Sequence, residues 1–261
     1  MPEAPPLQSS LLRGQVNTPA RFISVIIPTL NEEKLLERML AQFTPQLVER
    51  FRIELVVSDG GSVDRTLEIA RARAHTVVAN GEGIKQTIAM GRNIGARSAG
   101  GSVFVFLNAD TLIADPPSFF STIAAEAGAP GLAALTCRVE VYPDEQRLSD
   151  RAFHGFYNWF FSMMNRVGMG MGRGECHIMR REVFALAGGY ADAIAAGEDY
   201  DMFRRLERLG RVKFLDSVTV YESPRRYRRY GYLYVSASWF LNFLAVFFLR
   251  RSILSEWKPV R

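Results

Sequence analysis

Gly197-Glu198-Asp199-Tyr200-Asp201 places three carboxylates within four positions. Met202, Phe203, Leu206 and Leu209 follow at helical spacing, so Glu198 and Asp199 fall in the first turn of a helix. Unpaired backbone N–H groups and the positive end of the helix dipole favour acidic residues there, and an ordinary surface helix would show the same pattern. A second acidic position shifts the reading. Val103 to Leu107 reads as a buried strand, and Asn108-Ala109-Asp110 follows at its C-terminal end. Open α/β sheets bind ligands at that edge. One acidic position can hold a divalent metal with a diphosphate, and the other can take a proton from an attacking hydroxyl. Together they suggest sugar transfer from a nucleotide donor.

Other candidates lie at strand ends. Pro28-Thr29-Leu30-Asn31-Glu32 ends the first strand, and a nucleotide can rest against such a turn and the helix N-terminus behind it. In Ser58-Asp59-Gly60-Gly61-Ser62 a carboxylate can accept from a base N–H or from ribose hydroxyls, and Gly60 lets the backbone approach a ligand closely. A tight turn accounts equally well for Asp-Gly. Asp110 is the candidate ligand for Mg2+ or Mn2+, which would neutralise charge developing on a leaving diphosphate. Asp199 is the candidate base. Glu198 would orient a substrate hydroxyl or support the loop, and Asp201 is open to a structural role. His177 follows Cys176 in an apolar run and reads as a structural side chain. No His/Cys set has zinc-like spacing, and no G-x-S-x-G nucleophile elbow occurs. The chain lacks both G-x-G-x-x-G and G-x-x-x-x-G-K-[ST], which argues against a dinucleotide cofactor or an ATPase-type phosphate loop.

These residues need a scaffold. Phe22–Ile27, Ile53–Val57, Thr76–Ala79 and Val103–Leu107 read as strands. Helices are expected over Glu32–Phe43 with Asn31 as N-cap, from Asp64 through about Ala74, and over Ile84–Ala99. That alternation predicts an α/β fold with a mostly parallel sheet flanked by helices. Further on, Leu132–Val141, Glu175–Met179 and Val212–Val220 are expected strands, Arg151–Val167 is rich in aromatics, and a short helix is expected to end at Leu186.

The chain has 261 residues, 48% hydrophobic and 23% charged, enough for a sizeable core. Cys137 and Cys176 suit a reducing, cytosolic setting. Residues 1–20, with Glu3 and four prolines, read as a disordered tail rather than a signal peptide. Residues 21–115 are expected to form the nucleotide-sugar-binding half and 116–230 the acceptor and catalytic half. Charge is uneven. From Arg204 to Arg261 thirteen Lys or Arg face four Asp or Glu, a balance of +9 in a chain whose net charge is +5. Tyr230 to Leu249 holds no charge and contains Trp239, Phe240, Phe243, Phe247 and Phe248, while Arg225, Arg226, Arg228 and Arg229 precede it and Arg250 and Arg251 follow. Segment 231–261 is therefore read as a helix lying in the interface of an anionic membrane, peripheral to its cytoplasmic face. A core helix and a single membrane span remain the alternatives. No nucleic-acid partner is expected, and the oligomeric state is open.

Five motifs in order carry a resemblance: Ser24-Val-Ile-Ile-Pro-Thr-Leu-Asn-Glu-Glu33, Val56-Val-Ser-Asp-Gly-Gly-Ser-Val-Asp-Arg-Thr66, Gly91-Arg-Asn-Ile-Gly-Ala96, Phe106-Leu-Asn-Ala-Asp-Thr111 and Gly197-Glu-Asp-Tyr-Asp201. Over about Phe22 to Tyr230 the chain resembles the family 2 glycosyltransferases of the GT-A fold. The resemblance implies single-displacement inversion of a sugar from a nucleoside-diphosphate donor, UDP first and GDP second, onto an acceptor hydroxyl that is lipid-linked in one reading. It implies donor contacts from Pro28, Thr29, Asn31, Glu32, Asp59, Gly60, Arg92 and Asn108. Asp110 would be the metal ligand, and Asp199 the general base with Glu198 beside it. Asn108 departs from the family's Asp-x-Asp, whose first acid it replaces without charge. Two rivals stand beside this reading. A nucleotidyltransferase would want a Gly-rich basic loop after the first strand, which Pro28-Thr29-Leu30-Asn31 does not supply. A non-catalytic membrane-associated binding protein of the same fold has Asn108 as its support.

Overall fold

The computed structural model describes residues 22–81, 86–194, 196–249 and 252; the side chains of 247–249 are not described. The expected tail 1–20, and the basic end of segment 231–261 at 250–251 and 253–261, lie outside them. Eight strands form one sheet: β1 (Ile23–Thr29), β2 (Ile53–Asp59), β3 (Thr76–Ala79), β4 (Val103–Leu107), β5 (Leu112–Ile113), β6 (Leu132–Val141), β7 (Cys176–Arg180) and β8 (Arg211–Glu222), in the order β3-β2-β1-β4-β7-β6-β8-β5. The helices are α1 (Glu33–Ala41), α2 (Pro45–Phe51), α3 (Thr66–Arg73), α4 (Ile88–Ser98), α5 (Pro116–Glu126), α6 (Leu148–Arg166), α7 (Arg181–Leu186), α8 (Glu198–Glu207), α9 (Arg225–Tyr230) and α10 (Tyr232–Leu249).

The first half is the expected parallel unit flanked by helices. β3, β2, β1 and β4 run parallel. Their near-continuous apolar sequence follows from burial on both faces. Val25 and Ile27 pack with Leu36, Met39 and Phe120 on one side. Ile26, Phe104 and Phe106 face Ala89, Ala96, Met202 and Phe203 on the other. Parallel strands with helices on both faces bring Thr29, Asp59 and Leu107 to one edge of the sheet.

The second half is mixed. β7 runs antiparallel to both β4 and β6, and β6 pairs parallel with β8. The α/β class holds, and the reversed strand is what the broken alternation after Leu107 allows. The register Leu107↔Cys176 lays the start of β7 against the end of β4.

Three local expectations are corrected. Asn31 does not cap α1: it adopts φ 52°, and its side chain accepts from the Val63 N–H. Glu32 precedes the helix instead. Asp64 lies two positions before α3, where it accepts from the N–H groups of Thr66 and Glu33. α4 begins at Ile88, behind the side-chain cap of Thr87. The helices α2 and α5, both opened by proline, and the two-residue β5 were not anticipated. Cys137 and Cys176 are buried and free.

Helix α10 divides its surface. Val235, Asn242, Ala245 and Val246 are buried against the body, whereas Leu233, Tyr234, Phe240 and Leu241 are exposed. It behaves as a core helix on one side and leaves an apolar stripe on the other. No described helix is long and apolar enough to cross a membrane, which speaks against the single-span alternative for these residues.

Candidate active site

A cleft of about 460 Å3 opens at the C-terminal ends of β1 and β4, and the start of α8 closes it. The β1 end contributes Pro28, Thr29, Leu30 and Glu32, with Gly60 beside them. The β4 end contributes Asn108 and Asp110. Thr111 N–H donates to the Asn108 carbonyl at 3.0 Å, and the Tyr142 hydroxyl donates to the Asp110 carbonyl, so the turn is held from two sides.

Gly197 sets the opposite wall. It caps α8 at φ 83°, a left-handed conformation that glycine adopts without a steric penalty. A Cβ there would also stand 3.1 Å from Val246 of α10. The turn delivers Glu198 and Asp199 to the first turn of α8, facing the cleft.

The two acids then part company. Glu198 Oε1 accepts from Arg92 Nη1 at 2.7 Å, with both side chains almost fully buried. Asp199 accepts from the Tyr200 N–H at 2.9 Å. Burial, then the neighbouring Glu198 charge, push the Asp199 carboxyl up to about 8, against the pull of Arg92. A carboxyl poised near neutrality at a cleft wall suits a general base.

Asp110 lies at the other side. Burial pushes its carboxyl up to about 6, opposed by Arg225 and reinforced by the charges of Glu32 and Glu175. Arg225 bridges the acids: its Nη1 and Nη2 donate to Glu32 at 3.0 and 2.8 Å, and Nη2 donates to Asp110 Oδ2 at 3.2 Å. Among the described residues no group of three His, Cys, Asp or Glu stands together as a metal site. One carboxylate with negative neighbours still fits Mg2+ or Mn2+, provided a diphosphate supplies further oxygens.

Residues 24–186 match the family described as Glycosyl transferase family 2, more than half of the chain. The chain belongs to glycosyl transferase family 2. The match ends before Glu198 and Asp199 and does not extend to them. A validoxylamine A glucosyltransferase of Streptomyces hygroscopicus subsp. limoneus is 37% identical over 120 residues, which are 44% of this chain and 26% of that protein. The succinoglycan biosynthesis protein ExoA of Rhizobium meliloti is 24% identical over 77% of this chain and 63% of its own length. The chain therefore spans only part of these relatives. Solved structures share the GT-A fold. A mannosyltransferase from Pyrobaculum calidifontis, in complex with GDP-Man and Mn2+, superposes with a TM-score of 0.63 at 24% identity, over 79% of this chain and 58% of that one. Glucosyl-3-phosphoglycerate synthase of Mycobacterium tuberculosis, with Mn2+, UDP and phosphoglyceric acid, gives 0.59 at 17% identity, over 88% and 78%.

Within this family 2 chain the expected site residues separate into two groups. Pro28, Thr29, Glu32, Gly60, Asn108, Asp110, Glu198 and Asp199 line the cleft. Asp59 stands behind it, fully buried, and accepts from Thr29, Gly61 and Ser62. Arg92 is likewise fully buried and holds three groups at once: Glu198, Asn108 Oδ1 at 3.2 Å and the Gly174 carbonyl at 2.6 Å. Asn31 holds the loop at Val63. These three brace the walls in this structure rather than lining them.

Other lining residues had no sequence signal strong enough to find them: Arg173, Glu175, Glu222, Arg225, Trp239 and Asn242. Arg173 Nη2 donates to Glu222 Oε1 at 2.5 Å, and its guanidinium lies 5.4 Å from the Trp239 ring centre. His154, pushed down to about 3 by burial and then by Arg173, is a neutral neighbour of that cation. His177 is fully buried against Tyr190 and Phe203, the structural role expected of it.

Proposed function

We propose that this chain moves a sugar, with inversion, from a nucleoside-diphosphate sugar to an acceptor hydroxyl, with UDP as first nucleotide and GDP as second. One observation carries the proposal: Asp110 and Asp199 line a single cleft from two separate edges, β4 and α8. An in-line displacement needs the leaving diphosphate on one side of the anomeric carbon and the deprotonated acceptor on the other.

In this reading Pro28, Thr29 and Gly60 form the bed for the nucleotide. Asp110 would hold Mg2+ or Mn2+ together with the donor diphosphate, and Asn108 adds a carbonyl oxygen without charge. When bound, the cation would neutralise charge on the leaving diphosphate. Arg225, bridging Glu32 and Asp110, is placed to exchange those carboxylates for phosphate oxygens. Asp199 takes the acceptor proton. Glu198, neutralised by Arg92, keeps the first turn of α8 in place. The metal and the nucleotides found with the Pyrobaculum and Mycobacterium proteins belong to those proteins, and they support the same classes here.

We place the reaction at an anionic membrane surface, with a lipid-linked acceptor. Helix α6 exposes Leu148, Phe156 and Trp159, and α10 exposes Leu233, Tyr234, Phe240 and Leu241. Phe153 of α6 packs on Tyr232 and Trp239 of α10, so the two helices that carry these residues adjoin. Arg151 and Arg229 are exposed nearby. Apolar stripes with basic neighbours suit an anionic bilayer surface. Trp239 and Asn242, on α10, line the cleft itself, which links that surface to the acceptor side.

The test incubates the purified protein with Mn2+, labelled UDP- and GDP-sugars and anionic vesicles containing a membrane lipid extract. The expected result is label in the organic phase with release of the free nucleoside diphosphate. Pyrophosphate release would indicate nucleotidyl transfer instead, and absence of any nucleotide binding would remove the donor reading.

A further inference from the structure

Glu175 is a cleft carboxylate that the reaction described above leaves without a task. It directly precedes β7, whose register pairs Cys176 with Leu107, so residue 175 lies across from the Asn108-Ala109-Asp110 turn. The residue before it, Gly174, lies close to Asp199 at the start of α8. A Cβ added to Gly174 would stand 3.7 Å from Asp199 Oδ2 and 3.6 Å from Arg92 Nη2. The Gly174 carbonyl is fastened by Arg92 Nη2 at 2.6 Å. The approach to this position is tight: a Cβ on Gly172 would come within 2.2 Å of the Phe203 ring, so glycine lets the loop lie flat on α8. The backbone at residue 175 thereby lies between the Asp110 turn and the first turn of α8, and Glu175 lines the cleft there.

Its own bonding is incomplete. Glu175 accepts no hydrogen bond among the described residues. Arg173 Nε lies 3.4 Å from its Oε2, but the geometry is not that of a hydrogen bond, and both atoms are buried without a partner. Arg173 is ion-paired with both Glu222, at 2.5 Å, and Glu175, at 3.4 Å, so Glu175 has a cation beside it but no hydrogen bond donated to it. A shielded carboxylate with open acceptor sites is costly unless something donates to it.

Resting on the sugar-transfer reading, we propose that Glu175 accepts hydrogen bonds from hydroxyl groups of the transferred sugar, and so selects a neutral, hydroxylated pyranose. The physical reason is position. The sugar must lie between the diphosphate at Asp110 and the acceptor at Asp199, and Glu175 lines the cleft where its backbone lies between those two turns. A pair of neighbouring sugar hydroxyls supplies two donors to two carboxylate oxygens. A sugar carrying its own carboxylate would be repelled. A deoxy sugar would leave the buried acceptor unpaired, the situation in which a site built for a hydroxyl discriminates most strongly.

The experiment measures binding by calorimetry with Mn2+, comparing UDP with UDP-glucose and GDP with GDP-mannose, in the wild type, Glu175→Gln and Glu175→Ala. For the pair that binds, the sugar nucleotide should lose about tenfold or more in affinity in both variants, roughly 1.4 kcal/mol, with the free diphosphate within about twofold of wild type. Thermal melts check folding, and the near-isosteric Glu175→Gln carries the test if Glu175→Ala does not fold. Unchanged sugar-nucleotide affinity overturns the proposal. An equal loss for diphosphate and sugar nucleotide also overturns it, because it marks Glu175 as a support for Arg173. A wild type that binds neither nucleotide overturns the donor reading itself, and this proposal with it.

Discussion

Arg92 Nη1 meets Glu198 Oε1 at 2.7 Å, in a pair whose side chains are 1% and 8% exposed. That contact distinguishes two adjacent acids which sequence alone presents as equivalent. Glu198 has a cation against it, whereas Asp199 faces the cleft with its carboxyl raised to about 8 by burial and by Glu198. Replacing Arg92 by Ala would leave Glu198 buried and uncompensated. The expected loss of stability is about 3–5 kcal/mol, read by chemical denaturation. Arg92→Lys should recover only part of it, because one ammonium cannot match a fork that also reaches Asn108 and Gly174. Wild-type stability in Arg92→Ala would show that the pair does not organise the site.

Asp199→Asn should lower turnover by roughly 10²–10⁴-fold, the usual contribution of a general base. Nucleoside diphosphate affinity should stay near wild type, since Asp110 and the β1 turn are untouched. Steady-state kinetics and calorimetry separate the two effects. Near-normal turnover would remove Asp199 from the mechanism.

The same carboxyl sets a pH profile. Below about pH 8, kcat/KM should rise about tenfold per unit as Asp199 loses its proton, then level off. A second consequence concerns folding. Asp199 and Glu222, both raised by burial to about 8, hold protons more tightly in the folded chain than in the unfolded one. Their contribution to stability is complete at low pH and is lost as pH rises through about 8. His154 and His177, lowered by burial, act oppositely below their ordinary value of 6.5. Of these four groups only the two carboxylates vary between about pH 6.5 and about pH 8, so the donor-free Tm should fall there. Asp199→Asn should make that fall shallower, and a Tm rising over this window would contradict the assignment.

Asp110→Ala should abolish the Mn2+-dependent part of nucleoside diphosphate binding. Asn108→Ala should be milder, because Asn108 brings no charge and one of its roles is to accept from Arg92. Calorimetry with and without Mn2+ reads both. Binding by the wild type that is indifferent to the cation would end the role given to Asp110.

The membrane surface is tested without touching the cleft. The wild type should sediment with anionic vesicles at low salt and be partly released at high salt, as screening predicts. The double substitution Trp159→Glu and Phe240→Glu, at residues 58% and 60% exposed, should abolish sedimentation without unfolding the chain. Point changes are preferred to truncation after Arg229, which would also strip Trp239 and Asn242 from the cleft wall. A wild type that stays in the supernatant at low salt would refute the membrane reading.

Sequence by itself determined the α/β class, the four strands of the first half and the places of the two acidic clusters at the end of β4 and the start of α8. Each of these is written locally. An apolar run followed by a turn marks β4 and Asp110, and an acidic cluster ahead of helical spacing marks α8 and Asp199. Short elements such as β5 carry too little pattern, and in α2 and α5 the opening proline is a turn signal as much as a helix start. Tertiary structure alone decided which partners each acid meets. Arg92 and Glu198 stand 106 positions apart, and Arg225 reaches Glu32 across 193. No spacing rule links residues at such distances, because the sheet order, with β7 inserted antiparallel beside β4, brings them together. The same holds for Glu175, an unremarkable residue in a glycine-rich stretch until the fold sets its backbone between the Asp110 turn and the first turn of α8. Helix α10 shows the same division. Its apolar composition was legible, but which side meets the body depends on where α6 and α8 lie, and contacts made only after folding settle that.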